Sequence, residues 1–109
     1  MKRSILINPN GILEVLDLDP TDELAQLQTA VAGYVEAAYP TGDTTLWFNE
    51  DGRMRELPIN GLASQLWWKL QPGHNTQLRG VVVVTGGADR NGDSLPITAD
   101  TESLIRELQ

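Results

Sequence analysis

Arg79-Gly80-Val81-Val82-Val83-Val84-Thr85-Gly86-Gly87 is the stretch on which the fold turns. Four consecutive β-branched residues favour a strand. A strand with one face in water alternates apolar and polar side chains. A run without alternation belongs to a strand covered on both faces, so this one is expected at the centre of its sheet.

Downstream, Gly86-Gly87-Ala88-Asp89-Arg90-Asn91-Gly92-Asp93 is too polar and glycine-rich for anything but a loop. Leu95-Pro96-Ile97 reads as a short edge segment limited by its proline. Thr98 or Asp100 caps a final helix over 100–108, packed through Leu104, Ile105 and Leu108.

Upstream, Pro72-Gly73-His74-Asn75 is a loop, and Asn60 is a good N-cap for a helix over residues 61–70. At about 100° per residue, Leu62, Ala63, Leu66, Trp67 and Leu70 share one broad apolar face, whereas Trp68 falls on the opposite side with Ser64 and Gln65. One tryptophan of the pair is thus expected in the core and its neighbour outside it. Thr44-Thr45-Leu46-Trp47-Phe48-Asn49 has β composition, and Asp51-Gly52 is a preferred two-residue hairpin turn, so residues 53–57 are expected to return antiparallel to it. Residues 34–39 form another strand, closed by Pro40.

Leu24, Leu27 and Val31 recur at helical spacing over 21–32, with Thr21 as the expected N-cap and Gly33 in the left-handed position beyond the end. The chain opens with a hairpin of 4–7 and 12–16 around Pro9-Asn10-Gly11. Five or six strands and three helices, without regular βαβ alternation, give an α+β fold: one domain over 1–109 with a mostly antiparallel sheet.

The chain has 109 residues, 40% of them hydrophobic, enough for one folded core. Eight basic against fifteen acidic residues leave a net charge of −7. That balance makes direct nucleic-acid binding an unfavoured reading, because coating a phosphate backbone needs clustered Lys and Arg. The charge is uneven: residues 1–40 carry 2 basic and 6 acidic groups, residues 41–80 carry 4 and 4, and residues 81–109 carry 2 and 5. The neutral middle third holds all three tryptophans and Phe48. Absence of cysteine excludes disulfides, thiolate nucleophiles and iron–sulfur clusters. Met1-Lys2-Arg3 has the charge of a signal-peptide start, but Asn8-Pro9-Asn10-Gly11 interrupts the apolar run at once, so a cytoplasmic location and no membrane association are expected.

Gly33-Tyr34-Val35-Glu36, Asn49-Glu50-Asp51-Gly52, Leu57-Pro58-Ile59-Asn60, and Arg79-Gly80 before an all-valine strand together resemble the domain of unknown function 3846 family over roughly 27–84. The resemblance implies a small accessory protein of a phage or mobile element, expressed inside a bacterial host. It brings no reaction, ligand or catalytic residue. Trp67-Trp68 and the 86–94 loop lie outside its pattern.

Each chemical reading has a structural rival. Asn49-Glu50-Asp51-Gly52 offers a carboxylate pair, but turn chemistry accounts for it. Asp89-Arg90-Asn91-Gly92-Asp93 spaces oxygens like a calcium loop, with glycine and the terminal carboxylate at the wrong positions. Gly86-Gly87 lacks the lysine and helix of a phosphate loop. His74, the sole histidine, is expected as a solvated loop residue without a nucleophile to serve. No catalytic residue, cofactor or metal is therefore expected.

The favoured candidates are Trp68, Arg53, Arg55, Trp47 and Arg79, the tryptophan and arginine composition of interface hot spots. They suit a non-enzymatic interaction protein whose partner is a host or phage protein, or a second copy in a homodimer. The alternative is an anti-defence or regulatory binder of a nucleotide-like small molecule, the base stacked on an aromatic and the phosphate met by arginine.

Overall fold

The computed structural model describes residues 2–109. In chain order the elements are β1 (Lys2–Ile7), β2 (Leu13–Leu18), α1 (Glu23–Val31), β3 (Val35–Thr41), β4 (Thr44–Asn49), α2 (Gly61–Leu70), β5 (Val82–Thr85) and α3 (Ala99–Leu108). The strands form one sheet in the order β2-β1-β5-β4-β3, with every neighbouring pair antiparallel. The valine run lies at its centre, and all four residues of β5 are buried. This is an α+β fold.

Both faces of β5 are covered, as the unalternating run requires. Val82 and Val84 join Ile5, Ile7 and Leu46 under Leu62 and Leu66 of α2 and Ile105 of α3. Val83 faces the other way, with Leu18 and with Leu27 of α1. β4 obeys the same two-residue alternation: Leu46 and Phe48 pack on the α2–α3 side, Trp47 on the α1 side. β3, an outer strand, carries Pro40 and a register irregularity between Ala38 and Thr41, both devices found at sheet edges.

Three local expectations fail. The Asp51-Gly52 hairpin does not form. Asn49 Oδ1 instead accepts from the Asp51 amide at 2.8 Å, and the chain coils through Arg55 N to Asp51 O at 2.8 Å and Leu57 N to Gly52 O at 2.9 Å. Glu56, at φ +52°, takes the left-handed position, and β4 pairs with β5 rather than with 53–57. At the start of α1 the Thr21 hydroxyl bonds to Asp19, and Asp22 stands at the N-cap without a side-chain cap bond. At its end Ala32 occupies the left-handed position, not Gly33. Gly33 is required for close approach: a Cβ there would lie 2.6 Å from Asn49 Nδ2.

The other ends follow capping chemistry. Asn60 Oδ1 accepts from Ala63 N at 3.1 Å, and Thr98 Oγ1 from Thr101 N at 3.1 Å. α3 is tied to β1 through Glu102, which accepts from Arg3 at 2.9 Å and from Arg106 at 3.0 Å. Leu95-Pro96-Ile97 is held without becoming a strand, through Gly86 N to Leu95 O and Ile97 N to Arg3 O, both at 2.9 Å. Met1 of the basic start lies outside the described residues, and Lys2 opens β1. Among the described residues no helix is long and apolar enough to cross a membrane.

Candidate functional site

Asn60 organises the region that the candidates share. It is fully buried, its Nδ2 donates to Ile7 O and Gly80 O at 2.9 Å each, and its own amide donates to Leu78 O at 2.8 Å. Ser64, one turn into α2, donates to Asn60 O at 2.7 Å and accepts from Leu78 N at 2.9 Å. Part of the side of α2 that helical periodicity leaves in solvent is therefore covered by the chain returning toward β5: Ser64 is buried beneath it, while Gln65 stays exposed. Trp68 is held against the same segment, half-buried, with Nε1 donating to Thr76 O at 2.8 Å.

An open groove of about 810 Å³ results. The β4–β5 ladder stops at the Trp47–Val83 pair, and the chains diverge beyond it. Phe48 and Glu36 line the strand side, Gly52 and Arg53 the turn, Gln77 and Arg79 the returning segment. Trp67 and Trp68 complete the lining from α2. Gly52 admits the tight approach at one end, where a Cβ would lie 3.3 Å from Arg79 O.

A family comparison fits this geometry. The model for Domain of unknown function (DUF3846) matches residues 1–109. The chain belongs to that family. No curated protein and no solved structure matches it. The match extends beyond the 27–84 stretch that carries the motifs, and those motifs meet in space in this DUF3846 chain. Glu36, Asn49-Glu50 and Gly52 line the groove with Arg79, while Leu57 O accepts from Arg79 Nη1 at 3.1 Å and Asn60 anchors the returning segment.

The five sequence candidates divide. Trp68, Arg53 and Arg79 come together in the groove. Trp47 does not: it lies on the α1 side of β4, its Nε1 donating to Thr85 Oγ1 at 2.9 Å. Arg55 is exposed, but its Nη1 donates to Ala32 O at 2.9 Å and so serves the C-terminal end of α1. Asn49 supports the same end through Nδ2 to Val31 O at 3.0 Å, a structural use of the Asn-Glu-Asp-Gly motif.

Trp67, expected in the core, is half-buried and borders the groove. Its ring lies 6.4 Å from Phe48 and 4.7 Å, edge-on, from His74. His74 is accordingly no solvated residue: it is half-buried, its Nδ1 accepts from Thr76 N at 3.3 Å, and its Nε2 is buried without a hydrogen-bond partner among the described residues. Sequence marks Glu36 only as part of the Gly33–Glu36 motif and gives Asn75 and Gln77 no site role, because no period marks a strand edge that appears only when two segments diverge.

The 86–94 loop satisfies itself. Asp89 Oδ1 accepts from the amides of Asn91 and Asp93 at 2.8 and 3.0 Å, and a bridge joins Ala88 to Ser94. A Cβ on Gly86 or Gly87 would run into the carbonyl oxygens of Pro96 or Gly42, so close backbone packing explains that glycine pair.

Proposed function

We propose that this DUF3846 chain is a small phage-type accessory protein, a non-enzymatic interaction module of the bacterial host cytoplasm that recognises a protein partner through the groove. The observation that supports the reading is the convergence of Trp68, Arg53 and Arg79 from α2, the turn after β4 and the returning segment, around a space open to a ligand. Tryptophan and arginine concentrate binding energy at interfaces when both rest against a supporting scaffold, as Trp68 does on Thr76 and Arg79 on Leu57.

The test compares tagged wild type, Arg53→Glu and Trp68→Ala in affinity purification from a bacterial host, with Arg90→Glu on the distant loop as control. A partner retained by wild type and the control but lost from both groove variants is the expected result. An unchanged set of captured proteins in both groove variants overturns the reading. Sedimentation across a concentration range separates a second copy of the chain from a foreign partner.

A nucleotide-like ligand is the second reading. It is favoured by the groove volume, about 810 Å³, which falls within the roughly 300–1,000 Å³ typical of small-molecule sites. A thermal-shift screen against nucleotides decides it, since a ligand bound by the folded state raises its melting temperature and a flat response ends the proposal.

A further inference from the structure

The chain between α2 and β5 is hydrogen-bonded along one side only. Thr76 O accepts from Trp68 Nε1 at 2.8 Å. Leu78 donates to Ser64 Oγ at 2.9 Å and accepts from Asn60 N at 2.8 Å. Gly80 donates to Pro58 O at 2.7 Å and accepts from Asn60 Nδ2 at 2.9 Å. The even-numbered residues thus direct backbone groups toward α2 and the 57–60 segment. Ile59 and Arg79 form the bridge enclosed by two of these bonds, the geometry in which an antiparallel pair turns its own amides and carbonyls outward.

The odd-numbered residues show the complement. The backbone amides of Asn75, Gln77 and Arg79 and the carbonyls of Asn75 and Gln77 have no hydrogen-bond partner among the described residues, and all three residues line the groove; the Arg79 carbonyl lies against Gly52 and closes the edge at that end. Donors and acceptors repeating at every second residue are the pattern of an open strand edge. β4, which would cover that edge if its ladder continued, pairs with β5 no further than Trp47.

We propose that the groove binds an extended peptide segment of the partner, which pairs as an added strand with the backbone of Asn75, Gln77 and Arg79. This rests on the groove being a protein-binding site and specifies how the partner is held. Main-chain bonding supplies affinity in this mode, and alternate side chains of the added strand supply selectivity. One parity of the peptide faces the indole of Trp68. The groove carries Arg53 and Arg79 together with Glu36 and Glu50, so it suits a segment of mixed charge and not a polyanion.

The probe is a displayed library of short linear peptides selected against the full chain, with the enriched peptide then synthesised with N-methyl groups on alternate residues. Methylation of one parity removes the donors that face the edge and should weaken binding about tenfold, the loss expected for two ordinary hydrogen bonds. Methylation of the other parity should leave binding close to the unmodified value. In amide-exchange NMR the peptide should slow exchange at Gln77 and Arg79. Gln77→Ala, which keeps the backbone, should bind like wild type. Equal loss from both parities, or binding without protection at Gln77 and Arg79, overturns strand addition; so does failure to enrich any peptide. None of these outcomes decides whether a folded partner uses the groove, which the purification comparison reads separately.

Discussion

β5 and the segment that leads into it adjoin in the chain, yet they have opposite fates. Val82, Val83 and Val84 are fully buried between β1 and β4 with a helix layer on each face. Asn75 and Gln77, a few residues earlier, are exposed, and their backbone groups have no partner among the described residues, while Thr76 and Leu78 beside them bond toward α2 and Asn60. The difference lies in the second neighbour, not in the backbone. With a strand on both sides the chain contributes to stability; with partners along one side only, the other side keeps backbone groups that a ligand can take over. Asn60 is the joint, since its side chain bonds Ile7 O of the sheet and Gly80 O of the returning segment at once.

Asn60→Ala should therefore be the most damaging change. It removes the cap acceptor of α2 and leaves the carbonyls of Ile7 and Gly80 without this donor. A cap costs about 1 kcal/mol and each of the two orphaned buried carbonyls about 1–3 kcal/mol, so a loss of about 3–7 kcal/mol is expected. Urea unfolding measures it. A loss below about 1 kcal/mol would mean that water or relaxation replaces the side chain, and that the two regions are not joined through it. Gly33→Ala should follow, at about 1–3 kcal/mol, because the new Cβ would displace the Asn49 amide that bonds Val31 O. The damage belongs to α1 and β4, so peptide binding along the 75–79 edge should survive at temperatures where the variant remains folded.

Glu102 tests the sheet side of the comparison through pH. Hydrogen bonds from Arg3, and then from Arg106, lower its carboxyl from the ordinary 4.5 to about 2. A carboxylate whose folded pKa is depressed stabilises the fold fully above its unfolded pKa, and that contribution fades as pH falls from 4.5 toward 2. Glu102→Gln should accordingly be less stable than wild type at neutral pH, by less than the Asn60 and Gly33 changes, and equal to it near pH 2. Asp19, lowered by its bonds from Thr21, titrates in both proteins and cancels in the difference. A gap that persists unchanged to pH 2 would show that the tie between β1 and α3 is not electrostatic.

What could be read in advance follows the same division. The all-valine run announced a central strand because burial on both faces leaves its mark in composition, and α2 and α3 announced themselves through Asn60, Thr98 and their apolar faces. Asp51-Gly52 misled, because its turn preference competed with Asn49, whose side chain bonds the Asp51 amide and coils the chain away. Trp47 and Trp68 carried equal weight by composition. One-residue alternation along β4 sends Trp47 to the α1 side, and only the path of residues 76–80 decides what lies beside Trp68. The groove itself was illegible, since it exists where two segments distant in sequence fail to pair.

Trp68→Phe is the smallest perturbation and the sharpest probe of that division. It keeps an aromatic ring in place while trimming the indole to a phenyl, and it deletes the bond from Nε1 to Thr76 O, which lies in an exposed setting. A bond of that kind contributes about 0.5 kcal/mol, close to the limit of an unfolding measurement. Local exchange resolves more. Leu78 donates to Ser64 Oγ within the segment that Trp68 restrains, so its amide should exchange a few-fold faster, whereas the amide of Val83 in the central strand should keep its wild-type rate because it opens only with the sheet. Acceleration at Leu78 alone would establish the returning segment as a unit that moves separately from β5. Equal acceleration at both would mean that the edge and the central strand open together, and the contrast between a stabilising strand and a binding one would then not hold in this fold.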